Sequence, residues 1–111
     1  MRIWPFKRMR EESVSSLVRR EVEGRFPSTD VDDVVDGLAT IADLPGCKNA
    51  YGRARIQLAI LLCANGDLAE FRSALDLAQT DWRDLLVDAG LEHDNWREVL
   101  ARAGFPVPES R

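Results

Sequence analysis

The sequence predicts an all-α fold: a compact bundle of four main helices with two short helices at its C-terminal end. Three observations carry this expectation. Ala54-Arg-Ile-Gln-Leu-Ala-Ile-Leu-Leu-Cys-Ala64 holds nine apolar residues in eleven, so it needs cover on every side, as a buried central helix does. Elsewhere apolar residues recur at steps of three and four, the helical period. No stretch alternates apolar and polar residues for long enough to make a strand. At ~1.5 Å per residue the central stretch reaches about 16 Å, half a bilayer's hydrocarbon, so it does not span a membrane.

The elements follow in order. Residues 1–9, Met-Arg-Ile-Trp-Pro-Phe-Lys-Arg-Met, form a basic aromatic segment ahead of a single helical domain over 10–105. Val14, Leu17, Val18, Val22 and Phe26 mark a first helix from about Arg10, weakened at Gly24 and stopped by Pro27. Asp30, with Asp33 three residues on, is expected to cap a second helix. Its apolar face is Val31, Val34, Val35, Leu38, Ile41 and Ala42, and Leu44-Pro45-Gly46 closes it. The central helix is expected over about 50–64, from near Asn49 to Asn65-Gly66, with Leu58, Leu61 and Leu62 almost fully buried. Asp67 with Glu70 opens the next helix, which carries Leu68, Phe71, Leu75 and Ala78. So short a turn makes an antiparallel helical hairpin.

The tail contains an internal repeat at an offset of fourteen residues. Asp81-Trp-Arg-Asp-Leu-Leu-Val-Asp-Ala-Gly-Leu91 matches Asn95-Trp-Arg-Glu-Val-Leu-Ala-Arg-Ala-Gly-Phe105. Asp81 and Asn95 are expected to cap two short helices, and Gly90 and Gly104 to end them in the left-handed conformation. Leu91 and Phe105 would then fold back towards Leu86 and Leu100. Residues 106–111 are a proline-containing tail.

Charge is unevenly placed in these 111 residues. Residues 1–25 hold seven Lys/Arg against four Asp/Glu, and the remainder eight against fifteen. Nucleic acid is bound by neutralising phosphates, and the acidic body argues against it as a partner. Two cysteines without a spacing pattern and a single His do not supply the four ligands of a zinc site, so neither a metal nor a cofactor is expected. The thiols fit a reducing cytoplasm. The N-terminus lacks a long apolar run after its positive charges, so no signal peptide is expected.

The run Gly66-Asp67-Leu68 through Ala78 to Asp81-Trp82-Arg83-Asp84-Leu85 resembles a core shared by small helical bacterial proteins of unknown function. The resemblance covers roughly 53–91 and implies a fold and a bacterial origin, without an activity. The hairpin is also similar to a single tetratricopeptide unit. Ala59, Gly66 and Ala78 stand where that family has small residues, whereas Phe71 stands where it has Ala, and no Pro closes the unit near Arg83. A solenoid needs about three such repeats.

Trp96, Arg97, Trp82, Arg83 and Trp4 are the candidate partner-binding residues, because Trp and Arg dominate interface hot spots. The domain is too small to bury all three Trp rings, and Trp96, nearest the chain end, is expected to be the exposed one. Core packing is the alternative for Trp82 and Trp96. His93 lies between Glu92 and Asp94 in a polar turn and is expected to be solvated. Arg53 and Arg55 are expected to pair with the acidic pool around Asp32, Asp33 and Asp36. That acidic run lacks the Gly and closing Glu of a calcium loop and reads as a solvated helix face. Trp4 and Phe6 are expected to tuck against the body while the basic residues meet its acidic surface.

No catalytic residue is identified. The expected function is a non-catalytic protein–protein interaction or adaptor module in a bacterial cytoplasm, its partner another protein or a second copy in a homodimer. The alternatives are a small enzyme with a cleft lined by Tyr51 and Arg55, and a protein held at a membrane surface by its basic aromatic N-terminus.

Overall fold

The computed structural model describes residues 13–108, and every described element is helical: α1 Ser16–Arg25, α2 Ser28–Thr40, a 3-10 turn Pro45–Cys47, α3 Ala50–Ala64, α4 Leu68–Ala89 and α5 Trp96–Arg102. The all-α expectation therefore holds across the described residues. Residues 1–12, with Trp4 and the expected start of the first helix near Arg10, lie outside them.

α1 opens at Ser15, whose hydroxyl accepts from the Val18 N–H at 3.3 Å, and Val18 and Val22 face inward. Asp30 is not the cap of α2. The helix starts earlier, directly after Pro27, and Asp30 lies in its first turn, where a carboxylate meets the positive end of the dipole. Gly37 lets α2 approach α4 closely, because a Cβ there would fall 2.9 Å from the Phe71 ring and 3.0 Å from Leu75.

α3 has the expected bounds. The Asn49 side chain caps it by accepting from the Gly52 N–H at 2.7 Å, and Asn65 in the left-handed region ends it. Six consecutive residues, Ile56 to Leu61, are buried. Leu62 is not; it is half-buried and packs only at the edge of the core. The polar member of this run, Gln57, is satisfied in place: its Nε2 donates to the Ser13 carbonyl at 2.9 Å and the Leu38 carbonyl at 3.1 Å. One amide thus ties the chain ahead of α1 and the last turn of α2 to the central helix.

α3 and α4 form the expected hairpin across Asn65-Gly66-Asp67, with Asp67 capping the Ala69 and Glu70 N–H groups. Gly66 has φ +80°, and a Cβ there would sit 2.8 Å from the Arg25 carbonyl at the end of α1. α4 runs on past Asp81 where a separate short helix was expected, but Asp81 itself leaves helical geometry (φ −157°, ψ 90°). Its carboxylate then accepts from the Arg83 N–H at 3.2 Å and the Asp84 N–H at 3.4 Å, so it caps a second segment inside α4. Asn95 does not cap α5 with its side chain. Its φ −87°, ψ 16° is already near-helical, whereas the capping Asp67, Asp81, Asn49 and Ser15 are all extended.

Both predicted endings form. Gly90 and Gly104 have φ +75° and +84°. The Leu91 N–H reaches the Leu86 carbonyl at 2.8 Å, and the Phe105 N–H reaches the Leu100 carbonyl at 2.9 Å. These bonds and the inner ones, Gly90 to Val87 and Gly104 to Ala101, each 3.0 Å, are the paired closure of a Schellman end. Leu86, Leu91, Leu100 and Phe105 are all buried. Phe105 also lies beneath the Arg25 guanidinium, 3.8 Å from ring centroid to Cζ, which fastens the chain end to α1.

Candidate functional site

The start of α3 is where the candidate residues gather. Gly46 and Gly52 allow the 3-10 turn to press against it: a Cβ on Gly52 would meet the Gly46 carbonyl oxygen at 2.6 Å. On the other side of Gly46 lies the Trp82 ring, 3.0 Å from where a Cβ would stand. Trp82 is half-buried, and the exposed Arg83 guanidinium lies 5.2 Å from its ring. The break at Asp81 positions both residues, since it starts the segment that carries them.

Tyr51, on the first turn of α3, leads to the second group. Its ring lies 5.1 Å from that of Trp96, tilted by 56°. The exposed Arg97 guanidinium lies 5.8 Å from the Tyr51 centroid, and the half-buried Arg55 guanidinium lies 5.3 Å from the Trp96 centroid. Tyr51 and Trp96 thus form a pair of rings with a guanidinium at each end, Arg97 on Tyr51 and Arg55 on Trp96. Trp96 is 5% exposed, so the expectation of an exposed ring at this position is overturned. The Tyr51 ring and the Arg55 guanidinium, both from α3, lie against it, which is why its place near the chain end was a poor guide.

Arg55 does not reach the acidic residues of α2 for its hydrogen bonds. Its Nε and Nη2 both donate to the Leu91 carbonyl, at 3.1 and 2.6 Å. That carbonyl belongs to the residue just after α4, at the negative end of the helix dipole, where a cation is stabilised. Burial lowers the Arg55 pKa, while Tyr51, Asp94 and Glu92 raise it and favour the charged form. Tyr51 and Arg55, proposed on sequence grounds as the walls of a cleft, therefore come together as parts of a packed stack.

The two cysteines differ in burial. Cys47, in the turn, is 2% exposed, and burial pushes its thiol up to about 11, against a smaller lowering by Arg53. Cys63, on the central helix, is half-exposed in a hollow between α3 and the two segments of α4. Burial and then Asp88 raise its pKa, so the thiol is protonated at neutral pH and is not poised as a nucleophile. His93 is exposed beside Glu92, 3.2 Å from its carboxylate. Among the described residues no three or more His, Cys, Asp or Glu converge on a metal site, and no helix is long and apolar enough to cross a membrane.

Of the sequence candidates, then, Trp82, Arg83 and Arg97 lie around the start of α3, Trp96 is buried beneath it and Trp4 is outside the described residues. Sequence reasoning missed the Leu91 carbonyl as the partner of Arg55. The signal was present: an Arg in an apolar helix needs an acceptor, and a glycine-ended helix supplies carbonyls not used within it. The chain matches no family model, no curated protein and no solved structure.

Proposed function

We propose that the chain is a non-catalytic interaction module of a bacterial cytoplasm, and that it docks a protein partner through Arg83, Trp82, Tyr51 and Arg97. One observation supports this reading above the others: two exposed arginines, each held over a half-buried aromatic ring, lie around the start of α3. A guanidinium stacked on a ring keeps its in-plane N–H groups available, and these match a carboxylate in pairs. Arg19 and Arg25 have ion pairs on their own helix, with Glu23 and Glu21. Among the described residues, Arg83 and Arg97 have none. Rigid aromatic rings beside arginine are the residues that dominate binding energy in protein interfaces. The partner face that fits is acidic.

The cytoplasmic setting rests on two free thiols, and the bacterial one on the resemblance of the Gly66–Leu85 run. A second copy of this acidic chain fits the same surface, and the form it would take is a twofold homodimer. Sedimentation at micromolar concentration tests that partner first. A wild-type dimer that Arg83→Glu with Arg97→Glu dissociates, and that Arg20→Glu leaves intact, supports self-association. If the wild type is monomeric, capture from bacterial lysate decides: the reading predicts a protein held by the wild type and by Arg20→Glu but lost from the double variant. Equal capture by all three overturns it.

A further inference from the structure

Beyond Leu91 the backbone bonds only with itself. Among the described residues, every backbone–backbone hydrogen bond of residues 92–108 stays within that stretch, from the Trp96 N–H on the His93 carbonyl to the Phe105 N–H on the Leu100 carbonyl. α5 has seven residues, too few for a helix to hold its shape alone. Side chains at its two ends fasten it to the body. At the start, Trp96 lies against the Tyr51 ring and the Arg55 guanidinium of α3. At the far end, Phe105 lies under the Arg25 guanidinium of α1, and Arg25 Nη2 donates to the Gly104 carbonyl at 3.4 Å. Leu100, between them in sequence, is buried. Ahead of α5, Glu92, His93, Asp94 and Asn95 are all exposed, whereas Leu91 is buried and its carbonyl is held by Arg55.

We infer that residues 96–108 form a lid that opens as one unit on the exposed 92–95 hinge, latched at one end by Tyr51 with Arg55 and at the other by Arg25. The two latches act together because so short a helix keeps its shape only while docked. Loss of either one therefore frees the ring at the other end. Leu91 marks the limit of the movement, since its carbonyl stays on Arg55. Opening bares Trp96, Leu100 and Phe105, so the closed lid is the populated state and opening is a rare, local event. Arg97 travels with the lid, and closure sets its guanidinium 5.8 Å from the Tyr51 centroid. The lid thereby completes one of the two arginine–ring pairs of the docking surface. That consequence rests on the docking reading, whereas the opening does not, and its test needs no partner.

Hydrogen exchange of the full chain, read by mass spectrometry of peptic fragments, distinguishes a lid from a rigid tail. In the wild type, amides 96–105 are expected to be less protected than those of Ile56 to Leu61 by about tenfold or more. Their exchange is also expected to depend less on urea, because local opening exposes less surface than unfolding does. Arg25→Ala touches the Phe105 end, yet it is expected to lower protection at 96–99 as much as at 103–105, by roughly tenfold. Tyr51→Ala, at the opposite end, is expected to lower both groups equally as well. In both variants Ile56 to Leu61 stay better protected than the lid, the sign that the fold is intact. The wild-type urea series stands whether or not either variant folds. Lid amides that match Ile56 to Leu61 in protection and in urea dependence would overturn the inference. A loss confined to the end that carries the substitution would overturn it too, because the two ends would then be separate contacts.

Discussion

Arg55 and the Leu91 carbonyl are joined by two hydrogen bonds, at 3.1 and 2.6 Å, across thirty-six residues of sequence. The contact lies on a guanidinium that also faces the Trp96 ring. It therefore sets the central helix, the end of α4 and the start of α5 in one arrangement. Removing the guanidinium leaves a carbonyl at a helix end without its charged donor, and a hydrogen bond to a charged group contributes about 1.5–3 kcal/mol. Arg55→Ala should lower stability by that amount in urea unfolding and shift Trp96 emission to the red as its cover opens. Arg55→Lys should recover only part, since an ammonium lacks the planar fork.

The glycines divide by what a methyl group would meet. At Gly90 and Gly104 there is space: the nearest atom to a Cβ on Gly90 is Val99 Cγ1 at 4.0 Å, and nothing lies within 4 Å at Gly104. The cost of alanine there is that of positive φ alone, roughly 1 kcal/mol at each position. Gly24 is the opposite case, an exposed residue inside α1 with open space and no positive φ, so Gly24→Ala should stabilise by about 0.5–1 kcal/mol. Urea midpoints of the three variants check this directly. A Gly104→Ala protein as stable as the wild type would contradict the role of the repeat's endings.

Much of this backbone was legible because capping and helix-ending chemistry is local. Asp67, Gly66, Gly90 and Gly104 act within four residues of where they stand, and the bounds of α3 follow from Asn49 and Asn65. Asp81 was legible as a cap but not as a bend: no glycine or proline lies beside it, so the helix resumes at once. What was not legible depends on distant partners. Trp96 is buried by Tyr51 and Arg55, more than forty residues earlier. Cys63 belongs to the most apolar stretch of the chain, yet α4 bends away from it and leaves a hollow. Composition ranks burial along one helix, but neighbours decide which face is covered.

The Cys47 thiol gives a pH signature with a fixed sign. Its pKa rises on folding from 9.0 to about 11, because burial disfavours the thiolate. The folded form keeps its proton while the unfolded form releases it, so the contribution to stability is complete below pH 9 and is lost as pH rises to about 11. At 1.36 kcal/mol per unit the loss is roughly 2–3 kcal/mol. Cys47→Ala should begin less stable and show a flatter profile across this window. Parallel profiles for the two proteins would contradict the burial of Cys47.

Docking through the start of α3 is tested most directly by site-specific photo-cross-linking in bacterial cells. p-Benzoylphenylalanine replaces Arg83, Arg97 or, as a control on α1, Arg20, one position at a time in the full chain. The account predicts a discrete cross-linked protein from positions 83 and 97, the same in both cases, and none from position 20. If that product has twice the mass of the chain, the partner is a second copy. Cross-links from position 20 with none from 83 or 97 would contradict the account.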